Sequence, residues 1–225
     1  MTSEGAPELN DFTQDFCASL ARVDSTEPEW APYRAGIGPH PETEALKLIA
    51  HDLSASNQAR YGSLQLGAPY PGLSRQRCDL VIGAPPCWAI EVKMLRLFGD
   101  NGKLNDNMLM HILSPYPAHR SALTDVSKLS RSAFPCRLGV LIYGFDYDNW
   151  PMDPAIEAFE RLAGEIAPLL GSCQARFGGL VHPVHQQGRV YTWEIGKWVD
   201  VAKAPRSGHG EDPAEIDAQE VGIRN

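Results

Sequence analysis

This 225-residue sequence has no long apolar run, and none of its segments approaches the length needed to span a bilayer. Its first ten residues are polar and acidic, without a basic segment followed by an apolar one, so we expect no secretory signal. Three catalytic signatures are also missing: the GxxxxGK(S/T) phosphate loop, the HExxH helix and the GxSxG elbow. The sequence therefore gives no support to a membrane protein, an ATP-driven enzyme, a metalloprotease of that type or a serine hydrolase.

Cysteine is scarce, and its spacing is uninformative for metal binding. None of the five cysteines belongs to a CxxC pair, which argues against a zinc cage. Their odd number and wide spacing fit a reducing compartment, so we expect a cytoplasmic protein. The five residues are Cys17, Cys78, Cys87, Cys136 and Cys173.

Positive charge is also in short supply, with 20 basic residues against 28 acidic ones and a net charge of −8. Such a chain does not coat nucleic acid through bulk charge. Part of the acidic excess lies at the end of the chain, and we predict a disordered tail over 203–225. The hydrophobic content of 43% supports one domain with a substantial core. We place this domain at 41–200, after a helix-and-loop lead-in over 1–40.

Apolar periodicity predicts alternating helices and strands. Phe12, Phe16 and Leu20 indicate one amphipathic helix in the lead-in, and a second helix should begin at Pro41-Glu42. We expect long loops at 67–76 and 98–118. This order predicts an α/β fold around a mixed sheet, with an added N-terminal helix and a C-terminal β-hairpin. The remaining predicted elements are strands at Tyr61–Leu66, Arg77–Ile82, Trp88–Leu95 and Arg137–Phe145, helices at His119–Ser132 and Pro154–Leu170, and a hairpin of Arg176–Val184 with Arg189–Ile195.

The second and third predicted strands carry charges that a half-buried hairpin does not normally contain. Side chains alternate along a strand, so Glu91 and Lys93 share one face, and a short turn around Pro85 brings Asp79 opposite Glu91. Two facing carboxylates repel each other and need a cation. Oxygen ligands at this separation suit Mg²⁺ or Mn²⁺. The hairpin therefore predicts a metal site with a lysine beside it, although a surface salt bridge is the simpler alternative.

The segments Arg77-Cys78-Asp79 and Glu91-Val92-Lys93 resemble the motif of the PD-(D/E)XK nuclease superfamily, over about residues 41 to 145. Cys78 stands where that family has a weakly held proline. The resemblance implies a three-layer α/β/α, restriction-endonuclease-like core. It also implies a metal-dependent endonuclease that hydrolyses DNA in restriction, phage defence or repair. A homodimer that cuts both strands is compatible with this function.

The resemblance also implies site residues from two helices. Many members place a glutamate of the first helix beside the metal, and here Glu42 fits this role, with Glu44 as the alternative. The metal ligands would then be Asp79, Glu91 and Glu42. A polar residue of the second helix often joins the site, and Lys128 is our candidate.

Two further groups of residues have alternative interpretations. A run of basic residues after the motif could contact a phosphate backbone or form an ordinary solvated face. His182 and His185 could bind a metal, but we expect exposed histidines on a strand. Two other functions stay open: a catalytically inactive interaction protein with the PD-(D/E)XK fold, and an RNA-processing nuclease. The basic residues that we expect at nucleic acid are Lys103, Arg120, Lys128 and Arg131.

Overall fold

The computed structural model describes residues 6–26 and 35–198, so the predicted tail from 203 onward lies outside the described residues. The chain forms a mixed α/β structure, as the sequence predicts. Its helices are α1 (Leu9–Thr26), α2 (Glu42–Ser56), α3 (Gln58–Tyr61), α4 (Met110–Leu113), α5 (Ala122–Ser130) and α6 (Asp153–Ile166). Its strands are β1 (Gln65–Tyr70), β2 (Leu73–Ile82), β3 (Trp88–Leu95), β4 (Arg137–Phe145), β5 (Leu169–Gly178) and β6 (Gln187–Ile195).

The six strands form one mixed sheet in the order β1-β2-β3-β4-β6-β5. The central pair β3–β4 is parallel, and every other pair is antiparallel. The parallel pair needs a crossover, and α4 and α5 lie within it. In this strand order β3 and β4 lie at the centre of the sheet. The predicted bounds of both strands are confirmed.

Helices cover both faces of the sheet. On one face, α1 and α2 pack against alternating side chains of β2, β3 and β4, including Leu80, Ile90 and Leu141. On the other face, α5 and α6 pack against the opposite set, including Val81, Ala89 and Val140. This alternation gives the molecule three layers. Within the described residues, no helix combines the length and apolar character that a membrane span requires.

The N-terminal helix predicted from the spacing of Phe12, Phe16 and Leu20 is confirmed as α1, and all three side chains are buried. The helix packs against α2, β5 and β6. Residues before it are also tied to the sheet, because the Trp88 indole Nε1 donates a hydrogen bond to the carbonyl oxygen of Pro7 at 2.8 Å. α1 is therefore part of the layer that covers this face.

The loop predicted at 67–76 is wrong, because this segment belongs to the β1–β2 hairpin. β1 begins at Gln65, and the chain reverses at Pro71-Gly72, where Gly72 has a φ of +78°. Pro69 argued for a loop. It is tolerated here because β1 is an edge strand and a proline there removes no inner hydrogen bond.

The helix predicted at Pro154–Leu170 is too long. It ends at Ile166, because Pro168 disfavours helical geometry at Ala167, which is extended with φ −153° and ψ 154°. β5 therefore starts at Leu169, and the strand predicted at Arg176–Val184 is shifted toward the N-terminus. The helix predicted at His119–Ser132 likewise begins later, at Ala122, because Arg120 is left-handed and Ser121 caps the helix.

A buried arginine fixes the start of α6. Arg189 on β6 is 4% exposed, and its guanidinium donates hydrogen bonds to the carboxylates of Asp146 and Asp153 at 2.6 to 2.7 Å. Asp146 also accepts a hydrogen bond from the backbone N–H of Met152. The end of β4, the beginning of α6 and the start of β6 are held together by this group.

Candidate active site

The predicted site lies where β2 and β3 separate. The two strands pair only from Leu80 with Ile90 to Ile82 with Trp88, and beyond this point β2 continues beside β1 alone. The N–H groups of Val92 and Met94, further along β3, point toward the space that β2 leaves. A buried N–H group needs an acceptor, so the divergence creates two positions for carboxylate side chains.

Two carboxylates occupy these positions. Asp79 Oδ2 accepts a hydrogen bond from the Val92 N–H at 2.8 Å, and Glu42 Oε2 accepts one from the Met94 N–H at 2.6 Å. Asp79 comes from β2, whereas Glu42 is the first residue of α2. The backbone of β3 therefore orients acidic groups from two different elements toward the same gap.

Glu91 lies on the face of β3 that α5 covers, and its side chain is only 2% exposed. Its Oε1 atom accepts a hydrogen bond from the Tyr70 hydroxyl and lies 2.8 Å from Lys128 Nζ. The same ammonium group also lies 5.1 Å from the centre of the Tyr70 ring. Tyr70 and Lys128 thus enclose the Glu91 carboxylate from β1 and α5.

Asp125 on α5 joins the two lysines of the site. Its carboxylate oxygens lie 2.8 Å from Lys93 Nζ and 2.9 Å from Lys128 Nζ. Lys93 Nζ also lies 4.0 Å from Glu42. The result is a continuous chain of alternating charge that runs from Glu91 through Lys128, Asp125 and Lys93 to Glu42.

The carboxyl groups at the ends of this chain are reluctant to ionise. Burial raises the pKa of Glu91 well above its usual value, and the neighbouring charges of Asp125 and Asp79 raise it further, although Lys128 opposes them. Burial also raises the pKa of Glu42. For Lys93, burial lowers the pKa, but the surrounding carboxylates outweigh this effect and the net pKa is raised. The pKa of Lys128 is also raised, because the lowering effect of burial is outweighed by Glu91 and Asp125, so both lysines are cationic at neutral pH.

The charge balance of the site is incomplete. Four carboxyl groups face two ammonium groups, so full ionisation leaves a formal charge of −2, which matches one divalent cation. Hard oxygen donors are the ligands that Mg²⁺ and Mn²⁺ prefer. Burial is the main cause of the raised pKa values of Glu42 and Glu91, and the neighbouring carboxylates add to it. The residues are Glu42, Asp79, Glu91 and Asp125, with Lys93 and Lys128.

The structure shows which of the other predicted site residues lie at the site and which lie elsewhere. Glu44, the alternative to Glu42, is exposed and pairs with Lys47, away from the gap. Lys128 joins the site, whereas Lys103, Arg120 and Arg131 are exposed, and Arg131 stacks over the Trp198 ring at 5.3 Å. Of the basic residues expected at nucleic acid, only Lys128 contacts the acidic site residues.

Tyr70 and Asp125 were missed by the sequence interpretation. Tyr70 fell in the segment taken for a loop, so no partner was assigned to it. Asp125 precedes Lys128 by three residues, and residues at this spacing share one face of a helix. Its position on the same helix face as Lys128 therefore marks Asp125 as a candidate site residue.

A second polar cluster lies in the loops beyond the site. His182 and His185 are both 0% exposed and lie in the connection between β5 and β6, so the expectation of exposed histidines on a strand is wrong. Together with Asp100 they form a group that could hold a metal ion, with ligand atoms within 4.8 Å of one another. In residues 6–26 and 35–198, no other trio of potential ligands meets this distance, and the carboxylates beside Lys93 are more widely spaced.

No protein-family model matches the sequence, and neither the curated proteins nor the solved structures contain a significant match. The function must therefore be inferred from the geometry and charge of the chain itself.

Proposed function

We propose that this chain is a metal-dependent phosphodiester hydrolase of the PD-(D/E)XK type, with DNA as substrate and Mg²⁺ or Mn²⁺ as cofactor. The observation that carries the proposal is the arrangement of Asp79, Glu91 and Lys93 around the point where β2 and β3 separate. The order of elements supports it, since a helix, three strands, a helix and a strand also make up the three-layer core of that superfamily.

The carboxylates of Asp79, Glu91 and Glu42 would hold the metal. A metal in such a site polarises a phosphate oxygen and lowers the pKa of a bound water. Lys93 stays protonated and stabilises negative charge on the attacked phosphate or orients the attacking water. To Lys128, whose side chain is 27% exposed, we assign contact with a phosphate oxygen of the substrate. A homodimer would present two such sites to the two strands of a duplex.

One observation favours a second candidate, an interaction protein with this fold and no catalytic activity. Lys128 Nζ lies 2.8 Å from Glu91 and 2.9 Å from Asp125, so an ammonium group stands beside the carboxylate that a metal would use. A lysine there offsets the charge of Glu91 without a metal. Calorimetric titration with Mg²⁺ and Mn²⁺ separates the two candidates, because the nuclease requires binding that is lost in Asp79→Ala.

Cleavage of nucleic acids is the decisive test. The purified chain is incubated with supercoiled plasmid, single-stranded DNA and total RNA in Mn²⁺ or Mg²⁺, beside the Lys93→Ala variant and an EDTA control. We expect plasmid nicking or linearisation by the wild type alone, and only with metal. Equal cleavage by Lys93→Ala would show a contaminant and sink the proposal, whereas cleavage confined to RNA would make the protein an RNA-processing nuclease.

A further inference from the structure

Three loops meet at the buried histidines. His182 and His185 come from the β5–β6 connection, and Asp100 comes from the long segment after β3. The third loop precedes α2: a Cβ on its Gly38 would lie 2.6 Å from the Cβ of His185, so this backbone presses directly on the histidine. Segments that are far apart in sequence therefore converge on one small polar volume.

The ring positions bring nitrogen and oxygen donors together. His185 Nε2 lies 3.1 Å from Asp100 Oδ1, and the two imidazoles stack with centres 4.6 Å apart and planes inclined by 17°. Zinc bonds of about 2.0–2.2 Å in tetrahedral geometry put ligand atoms about 3.3 Å from one another. The His185–Asp100 pair already has about this separation, and the candidate ligand atoms of all three residues lie within 4.8 Å of one another.

The surroundings hold His185 in one orientation. Its Nδ1 atom lies 2.9 Å from the Tyr147 hydroxyl, and its ring packs 4.8 Å from the ring of Phe145. A metal-ligating histidine normally uses its second nitrogen in this way, because the hydrogen bond fixes the tautomer and leaves the other nitrogen free to ligate. A proton on Nε2 would satisfy the same contact with Asp100, so an experiment must distinguish the proton from a metal.

We propose that Asp100, His182 and His185 form a zinc site that joins the segment after β3 to the β5–β6 connection. Two imidazoles with one carboxylate suit Zn²⁺, and they disfavour Mg²⁺, which prefers oxygen donors. The site is thus chemically distinct from the carboxylate site at Asp79. Its proposed role is structural, since it ties the segment after β3 to the β5–β6 connection, and the loop before α2 packs against His185.

The proposed zinc site lies close enough to affect both α2 and β3. Gly38 lies four residues before Glu42, and Arg96, which follows β3, donates a hydrogen bond to the Gly38 carbonyl oxygen at 2.7 Å. The same Arg96 guanidinium lies 3.5 Å from Asp100. The zinc site would therefore restrain the loop before Glu42 and the strand that carries Glu91 and Lys93.

The test uses the untagged full-length chain, stripped of metal with chelator and titrated with Zn²⁺ by calorimetry in excess Mg²⁺. We expect one zinc per chain and a higher unfolding temperature with zinc, because a ligand that binds only the folded state stabilises it. Asp100→Asn should bind zinc at least a hundredfold more weakly. Asp100 is partly exposed, so this variant should fold even if a histidine variant does not.

Two controls make the result specific. His51→Gln removes an exposed histidine and should keep the wild-type affinity for zinc. Asp79→Asn should also keep it, so the zinc result does not depend on whether the chain is a nuclease. The proposal is overturned if the wild type binds no zinc, if Asp100→Asn and His182→Gln both bind it as well as the wild type, or if only Asp79→Asn loses it.

Discussion

Lys93 Nζ and Asp125 Oδ2 lie 2.8 Å apart, and this ion pair joins the central strand β3 to helix α5. The lysine of the proposed motif is therefore held by a residue outside the motif. Asp125 also contacts Lys128, so one carboxylate orients both ammonium groups of the site. The properties of the site depend on α5 as much as on the hairpin that carries Asp79 and Glu91.

Replacing Asp125 should therefore weaken the fold. We expect Asp125→Asn to lower the free energy of unfolding by about 2 kcal/mol, because hydrogen bonds to charged groups contribute about 1.5–3 kcal/mol each. Urea denaturation followed by circular dichroism measures this change. Asp148→Asn, which alters an exposed aspartate, is the matched control and should leave the stability within about 0.5 kcal/mol. Equal effects of the two substitutions would contradict the assigned role of Asp125.

Tyr70 allows a milder change at the neighbouring carboxylate, that of Glu91. Tyr70→Phe keeps the buried ring but removes the hydroxyl that donates to Glu91, so the carboxylate loses a neutral donor. We expect a loss of about 1 kcal/mol in unfolding free energy, the typical net contribution of one hydrogen bond. Tyr116→Phe, at an exposed tyrosine, should have no measurable effect. A wild-type denaturation curve for Tyr70→Phe would show that the Tyr70 hydroxyl does not contribute.

The tight approach of Gly38 to His185 can be tested with a pair of alanine substitutions. Gly38→Ala puts a methyl group 2.6 Å from the Cβ of His185 and should destabilise the chain by more than 1 kcal/mol. Gly164→Ala lies inside α6, where nothing stands within 4 Å of the new methyl group, and should stabilise the chain by about 0.5–1 kcal/mol. Thermal unfolding of the two variants should thus move in opposite directions, and a shift in the same direction would contradict this packing.

The ion pairs of Arg189 with Asp146 and Asp153 should make the free energy of unfolding depend on pH in the acid range. The hydrogen bonds from Arg189 lower the pKa of Asp153, although burial acts in the opposite sense. A carboxyl with a lowered pKa stabilises the fold above its ordinary pKa and loses this contribution as the pH falls through the lowered value. Asp153→Asn should therefore be less stable than the wild type at pH 7, and the difference should shrink toward pH 3. Urea midpoints at the two pH values measure it, and a constant difference would rule out this explanation.

Strand alternation was the strongest signal in the sequence. It grouped Glu91 with Lys93 on one face of β3, because a period of two leaves no other arrangement. The strand β4 was instead indicated by a continuous apolar run with little alternation, as expected for a strand that is covered on both faces. The helix carboxylate was harder to assign. Glu42 and Glu44 differ by about half a turn, and only the geometry separates the one that meets β3 from the one that faces solvent.

The structure differs from the sequence prediction at the end of α6, in β1 and at the buried histidines, and each difference has a physical cause. Pro168 marks the end of α6 in the sequence, but the apolar pair Leu169 and Leu170 extended the helical pattern past it. Pro69 suggested a loop, because the sequence alone does not reveal that β1 is an edge strand. The cluster of Asp100 with His182 and His185 depends on two loops that are distant in sequence lying side by side, and no local sequence pattern predicts this.

The docking of α1 has a consequence for the order in which the chain can fold. Thr13 contacts Thr192 through their hydroxyl groups, across 179 residues of sequence. Pairings this distant form late, because a large loop must close first. During synthesis from the N-terminus, α1 therefore emerges long before β5 and β6, and the part of its surface that these strands cover stays exposed until they have been made. Helix α1 therefore completes its contacts late, and the growing chain has to avoid aggregation through that surface until then.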